Sequence, residues 1–190
     1  MGTLNRTLIK NINKSDLINL FKNYYSIGRV RLLDHENQTL FLDRENYSII
    51  LFDSYLTNWI EIIFDFYDGP EEHDIFLKKV STEFLTDVIF GYEQTTTGDA
   101  RFLKIKGGKI ERDIYQKSYY EPHRIIMERN LGNKYSTEKG FEYPEIGNDL
   151  TDFKVLDFDE IQNMFMDAGY KGNKNQSLKE EYTHLEWLQK

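Results

Sequence analysis

Four histidines, His35, His73, His123 and His184, are the natural candidates for proton transfer or metal binding in this chain. No two of them stand at the spacing that turns two imidazoles of one helix toward one metal, and neither H-x-H nor H-E-x-x-H occurs. In "EEHD", residues 71–74, His73 could share a metal with Glu72 or Asp74, and a metal-dependent hydrolase using these groups is one reading of the chain. Adjacent residues of a helix do not converge on one point, however, so a helix start explains the same four letters better. Cysteine is absent, which removes thiol nucleophiles, disulfides and Cys-based zinc sites together. No serine lies in a G-x-S-x-G elbow. The pair Gly107–Gly108 lacks the following helix and the Lys-Ser/Thr of a phosphate cradle, and no G-x-G-x-x-G is present. Carboxylates are plentiful, but Glu61 and Asp65, which share a strand parity, would lie roughly 13 Å apart at strand rise. The residues therefore imply no catalytic constellation and no cofactor.

Charge is more informative. The chain carries 24 basic and 32 acidic residues, a net charge of −8. Between Asp53 and Asp99 stand eleven acids and only two bases, Lys78 and Lys79, so nearly all the excess negative charge falls in a quarter of the sequence. Such a segment repels nucleic acid and anionic membranes and attracts a basic protein. Its other reading is a solvated face that serves solubility alone. The opening residues contain no apolar stretch of signal-peptide length, and no run approaches the 18 apolar residues of a membrane span. With no cysteine, this leads to the expectation of a cytoplasmic protein.

Elements must position these groups. Ser15 reads as the cap of a helix carrying Leu17, Leu20, Phe21 and Tyr24, with Gly28 as its stop. "RVRLLD" at 29–34 and "RENYSIILFDSYL" at 44–56 read as strands. "NWIEIIFDFYD", 58–68, places Ile60, Ile62, Phe64 and Phe66 on one side and acids on the other. Pro70 and the acids after it open a second helix with a Phe76, Leu77, Val80, Phe84 stripe. "DVIFGYEQ", "RFLKIK" and "KIERDIY" then predict an antiparallel meander over 87–115, with Gly107–Gly108 as a tight turn. Beyond Tyr120 the chain reads as irregular, with a short helix over 124–130. Asp157 caps a further helix ending at Gly169. Ser177 and Glu180 form a capping box ahead of Leu178, Tyr182, Leu185 and Leu188, which predicts a C-terminal amphipathic helix. The fold expected is α+β, with a mostly antiparallel sheet of about five to seven strands packed by several helices. Residues 1–169 would form one domain, 170–177 a polar linker, and 178–190 a helix docked on that domain or on a second copy.

The stretch "VIFGYEQTTTGDARFLKIKGGKIERDIY", residues 88–115, runs from an apolar strand through a Thr/Gly/Asp loop, an aromatic strand and a Gly turn to a charged I-x-R strand. It resembles the central sheet of α+β immunity proteins that accompany bacterial polymorphic or contact-dependent toxins. The resemblance spans about thirty residues, carries no catalytic motif, and implies a role rather than a residue set: binding and neutralising a partner. On this reading Glu61, Asp65, Asp68, Glu71, Glu72 and Asp74, with the interface-type tyrosines Tyr119 and Tyr120, would meet a basic toxin domain. The chain would act as a monomer or as a weak homodimer through its last helix. A self-assembling regulatory or structural subunit is the remaining reading.

Overall fold

The computed structural model describes residues 3–25, 27–33, 47–53, 58–64, 69–150, 156–171 and 182–187. Nine strands and three helices follow one another as β1 (Thr3–Lys10), α1 (Lys14–Tyr24), β2 (Ile27–Leu33), β3 (Tyr47–Asp53), β4 (Trp59–Phe64), α2 (Asp74–Glu83), β5 (Asp87–Gln94), β6 (Asp99–Lys106), β7 (Lys109–Tyr120), β8 (His123–Gly132), α3 (Phe158–Asp167) and β9 (Tyr182–Trp187), with a 3-10 turn at Ser136–Glu138 ahead of α3. The strands form one sheet in the order β2-β9-β3-β4-β1-β5-β6-β7-β8, and every pairing is antiparallel. The expected α+β class is the class observed.

Each face of the sheet carries its own core. Strand alternation sends Ile9, Ile60, Ile62, Phe64, Val88, Phe90, Leu103 and Ile105 to one side, where α1 supplies Leu17, Leu20 and Phe21 and α2 supplies Phe76, Leu77 and Val80. Leu4, Leu8, Trp59, Ile89, Phe102 and Ile114 go to the other side and meet Ile161, Met164 and Phe165 of α3. The sheet is covered on both sides, and β1 does not announce itself in the sequence because Asn5, Arg6 and Thr7 interrupt its apolar pattern. Its buried Thr7 replaces the apolar residue that alternation would lead one to expect.

The meander over 87–115 is present in register, and it continues into β8. Gly107 and Gly108 both take positive φ, 53° and 79°, as a two-residue hairpin turn between Lys106 and Lys109 requires. Several expectations need correcting. Residues 124–130 lie in β8, not in a helix: Ile125, Ile126 and Met127 imitate a helical run, but the two-residue turn at Glu121–Pro122 folds them back onto β7. The C-terminal helix expected over 178–190 is not found at 182–187. Those residues form β9, inserted between β2 and β3, where both of its edges are hydrogen-bonded. The helical spacing of Tyr182 and Leu185 is overridden by pairing with β2 on one side and β3 on the other. Of the expected linker, Tyr170 is buried in the second core, and residues 172–177 lie outside those described. Asn13 rather than Ser15 caps α1, its Oδ1 accepting from the Ser15 N–H at 2.9 Å, and Gly28 lies within β2. Asp157 caps α3 as read.

Gly91 of β5 is where α3 comes closest to the sheet. A Cβ built there would stand 2.6 Å from the Phe165 ring and 2.9 Å from Ile161. Gly91→Val should destabilise the fold by about 1–3 kcal/mol or more through overpacking. A lowered urea midpoint would show it. An unchanged midpoint would mean that α3 is not seated on β5.

Candidate functional site

The residues that could do chemistry collect where the N-terminus of α2 meets β6, β7 and β8. Arg101 of β6 is fully buried. Its Nη1 and Nη2 donate to the two oxygens of Asp74 at 2.7 and 2.8 Å, and Nε and Nη2 donate to the two oxygens of Asp113 at 3.0 and 3.1 Å. Nη1 also donates to the Pro70 carbonyl at 2.9 Å, so all five guanidinium N–H groups are engaged. The Phe90 and Tyr115 rings lie 5.9 and 5.7 Å from its Cζ. Burial opposes the charge, but the hydrogen bonds to Asp74 and Asp113 outweigh it and hold Arg101 above its ordinary pKa. Arg129 of β8 closes the network. It donates to Asp74 and Asp113 at 3.1 Å each and to Glu71 at 3.2 Å.

Arg112 and Asp113 are adjacent, so they point to opposite faces of β7. Arg112, also fully buried, pairs with Glu138 through Nε at 3.1 and 3.2 Å and through Nη2. Its Nη1 reaches Asn130 Oδ1 at 2.9 Å and the Leu131 carbonyl at 2.8 Å. Glu138 further accepts from the Tyr135 N–H at 2.8 Å and the Tyr143 hydroxyl at 3.0 Å. This second network ties the 3-10 turn to the sheet on the α3 side, as the first ties α2 to the other. Both hold buried or half-buried guanidinium groups against carboxylates, and so fasten neighbouring elements together.

His73 is likewise enclosed. It is 2 % exposed, stacks on Phe64 with ring centroids 4.3 Å apart, and its Nδ1 lies 2.8 Å from the Tyr25 hydroxyl. Burial raises the Tyr25 phenol well above its usual pKa. Among the described residues no three His, Asp or Glu side chains converge as a metal would need.

The eight residues expected to meet a partner do not make one patch. Glu61 lies on the face opposite α2, since Ile60 and Ile62 on either side of it belong to the α1–α2 core, and it pairs with Arg6 at 2.8 Å. Asp65 and Asp68 lie outside the described residues. Glu71 and Asp74 are bound to the arginines, while Glu72 is exposed beside them. Tyr119 and Tyr120 stand at the tip of the β7–β8 hairpin, 39 % and 71 % exposed. Tyr119 donates to Glu128 at 2.6 Å; that bond is the main reason its phenol titrates above its usual value, with the Glu71 charge adding to the effect. The structure thus brings Glu71, Asp74 and Tyr119 to one end of the α2 face. Reading from residue types missed Arg101, Asp113, Arg129, Arg112 and Glu138. The available signal was a charge at strand positions whose parity neighbours are apolar: Arg101 before Leu103 and Ile105, and Arg112 before Ile114. No helix among the described residues is long and apolar enough to cross a membrane. No family model, no curated protein and no solved structure matches this chain.

Glu138→Ala would leave the buried Arg112 charge without its carboxylate and should cost about 3–5 kcal/mol. Replacing both groups with apolar residues, Arg112→Met with Glu138→Leu, should recover more than half of that loss in thermal or urea unfolding. A double variant no more stable than the single one would show that the pair holds the 3-10 turn by geometry rather than by compensating a charge.

Proposed function

We propose that this chain is a non-catalytic protein-binding module of the cytoplasm that neutralises a basic partner, a toxin domain in the immunity-protein reading. The observation that carries this is the β7–β8 hairpin tip. Tyr119 and Tyr120 project there into solvent, an aromatic anchor whose rim carries Glu71 and Glu128 as well as Lys117 and Arg124. Tyrosines of this kind bury large area at low entropic cost, and flanking carboxylates steer a cationic surface toward them. The buried fasteners behind the tip support the same reading. Arg129 bonds to Asp113 directly beneath the hairpin, so its base is held before any partner arrives and less ordering is left for binding. The long acidic segment contributes less than its raw charge suggests, because Glu61, Glu71 and Asp74 already face arginines.

The test is co-purification with the product of the adjacent gene, followed by that protein's toxicity assay with and without this one. Tyr120→Ala should weaken the complex about thirtyfold, the effect of losing an anchor worth about 2 kcal/mol, while leaving the fold intact. Raised salt should slow association. Absence of both binding and protection would overturn the reading.

A further inference from the structure

Strand β9 owes its place to two neighbours. Its six residues register with positions 27–33 of β2 along one edge and with positions 47–52 of β3 along the other. Its main contacts are with those two strands. Leu185, which is fully buried, stands in register between Val30 and Ile49 and enters the core under α1 and α2. β2 and β3 do not pair with each other, so they form the walls of a slot one strand wide. The chain reaches that slot from Lys171 over ten residues, 172–181, at most about 35 Å of backbone. Both ladders that fix β9 therefore lie within the slot, and an identical strand from another molecule makes the same bonds.

We infer that the slot between β2 and β3 accepts β9 of a second copy, so that two chains exchange this strand and form a reciprocal dimer. Each chain gives the strand it receives, and each sheet keeps both of its ladders. Backbone bonds alone do not read a sequence, but the slot does: it takes an apolar residue at the place of Leu185, and it sets Arg29 opposite Glu186. A second copy supplies that pattern by identity. What favours the monomer is the tether, which gives a chain's own strand an effective concentration on the order of 1 mM. Chains that fold together near that concentration gain comparable access to either strand. The dimer reverts only by drawing β9 out along both ladders, so it persists on dilution. The homodimer expected through a C-terminal helix thus has a different basis in the same segment, because residues 182–187 are a strand. β2, β9 and β3 lie at one end of the sheet and the β7–β8 hairpin at the other, so this inference does not rest on the partner-binding reading.

The full chain tests it, and because it has no cysteine, introduced cysteines report without background. Ser48 and Glu186 are directly opposed in the β3–β9 register. Opposed positions of antiparallel strands place Cα atoms about 4.5–5.5 Å apart, within disulfide reach. Ser48→Cys and Glu186→Cys chains, unfolded in urea, mixed and refolded together at about 300 µM, should give a bridged heterodimer on mild oxidation. The yield should be at least about tenfold higher than after co-refolding at about 1 µM. The same two chains refolded apart and then mixed should give none. The chain carrying both cysteines, refolded at the lower concentration, should close the bridge within itself, which checks the register. Wild-type protein refolded at the higher concentration should sediment partly as a dimer that survives dilution, and protein refolded at the lower one should be monomeric. This last measurement decides the matter if a cysteine variant fails to fold. A double variant that closes its own bridge while the co-refolded pair gives no heterodimer, equal heterodimer from chains refolded apart, or a wild-type monomer from both preparations would overturn the inference.

Discussion

A guanidinium with no water around it dictates much of this architecture. Arg101 lies in the middle of the four-stranded end of the sheet, and a bare charge there would be prohibitive. It is tolerable only because Asp74 and Asp113 each present two oxygens and Pro70 presents a carbonyl. That requirement fixes the start of α2, since Asp74 is its first residue, and with it the position of the Phe76, Leu77 and Val80 stripe over the sheet. Arg129 extends the constraint to the edge strand, where a half-exposed side chain links two elements otherwise held by different neighbours.

The same strategy recurs on the reverse side with Arg112 and Glu138, and the two sets are adjacent in sequence through Arg112 and Asp113 of β7. One strand therefore carries opposite charges to opposite cores. Each network is directional in a way that apolar packing is not. A Leu can slide against a Phe at little cost, but a guanidinium held at five points cannot shift without losing bonds. The arginines contribute uniqueness of packing more than net stability, since desolvation offsets much of their attraction.

Part of the local chemistry of turns and caps was legible in the sequence, although Asn13 rather than Ser15 caps α1. Gly107–Gly108, the Asp157 cap, the α2 stripe and the 87–115 meander follow from rules that operate within about ten residues. The elements that sequence reasoning missed owe their identity to distant partners. β1 is a strand because β4 and β5 flank it, although its Asn5, Arg6 and Thr7 blur any alternation. β9 has a helix-like spacing and the sequence S-x-x-E ahead of it, yet it pairs as a strand with β2 and β3. The candidate site was half visible for the same reason. Charge composition pointed to acids near α2, but only the pairing register shows that Arg101 and Arg129 meet Asp74 and Asp113, and so which of those acids remain available outside.

The place of β9 bears on how the molecule must be assembled. β2 and β3 are consecutive along the chain yet never touch, and the strand between them arrives roughly 130 residues later, so this half of the sheet has high contact order. The other half, β5 through β8, is a run of successive hairpins that can form as soon as it is made. Until β9 is inserted, two strands hold open facing edges, the configuration most exposed to pairing with the wrong chain. The half that carries the arginine fasteners can thus set first, and β9 acts as a keystone for a half that waits for it.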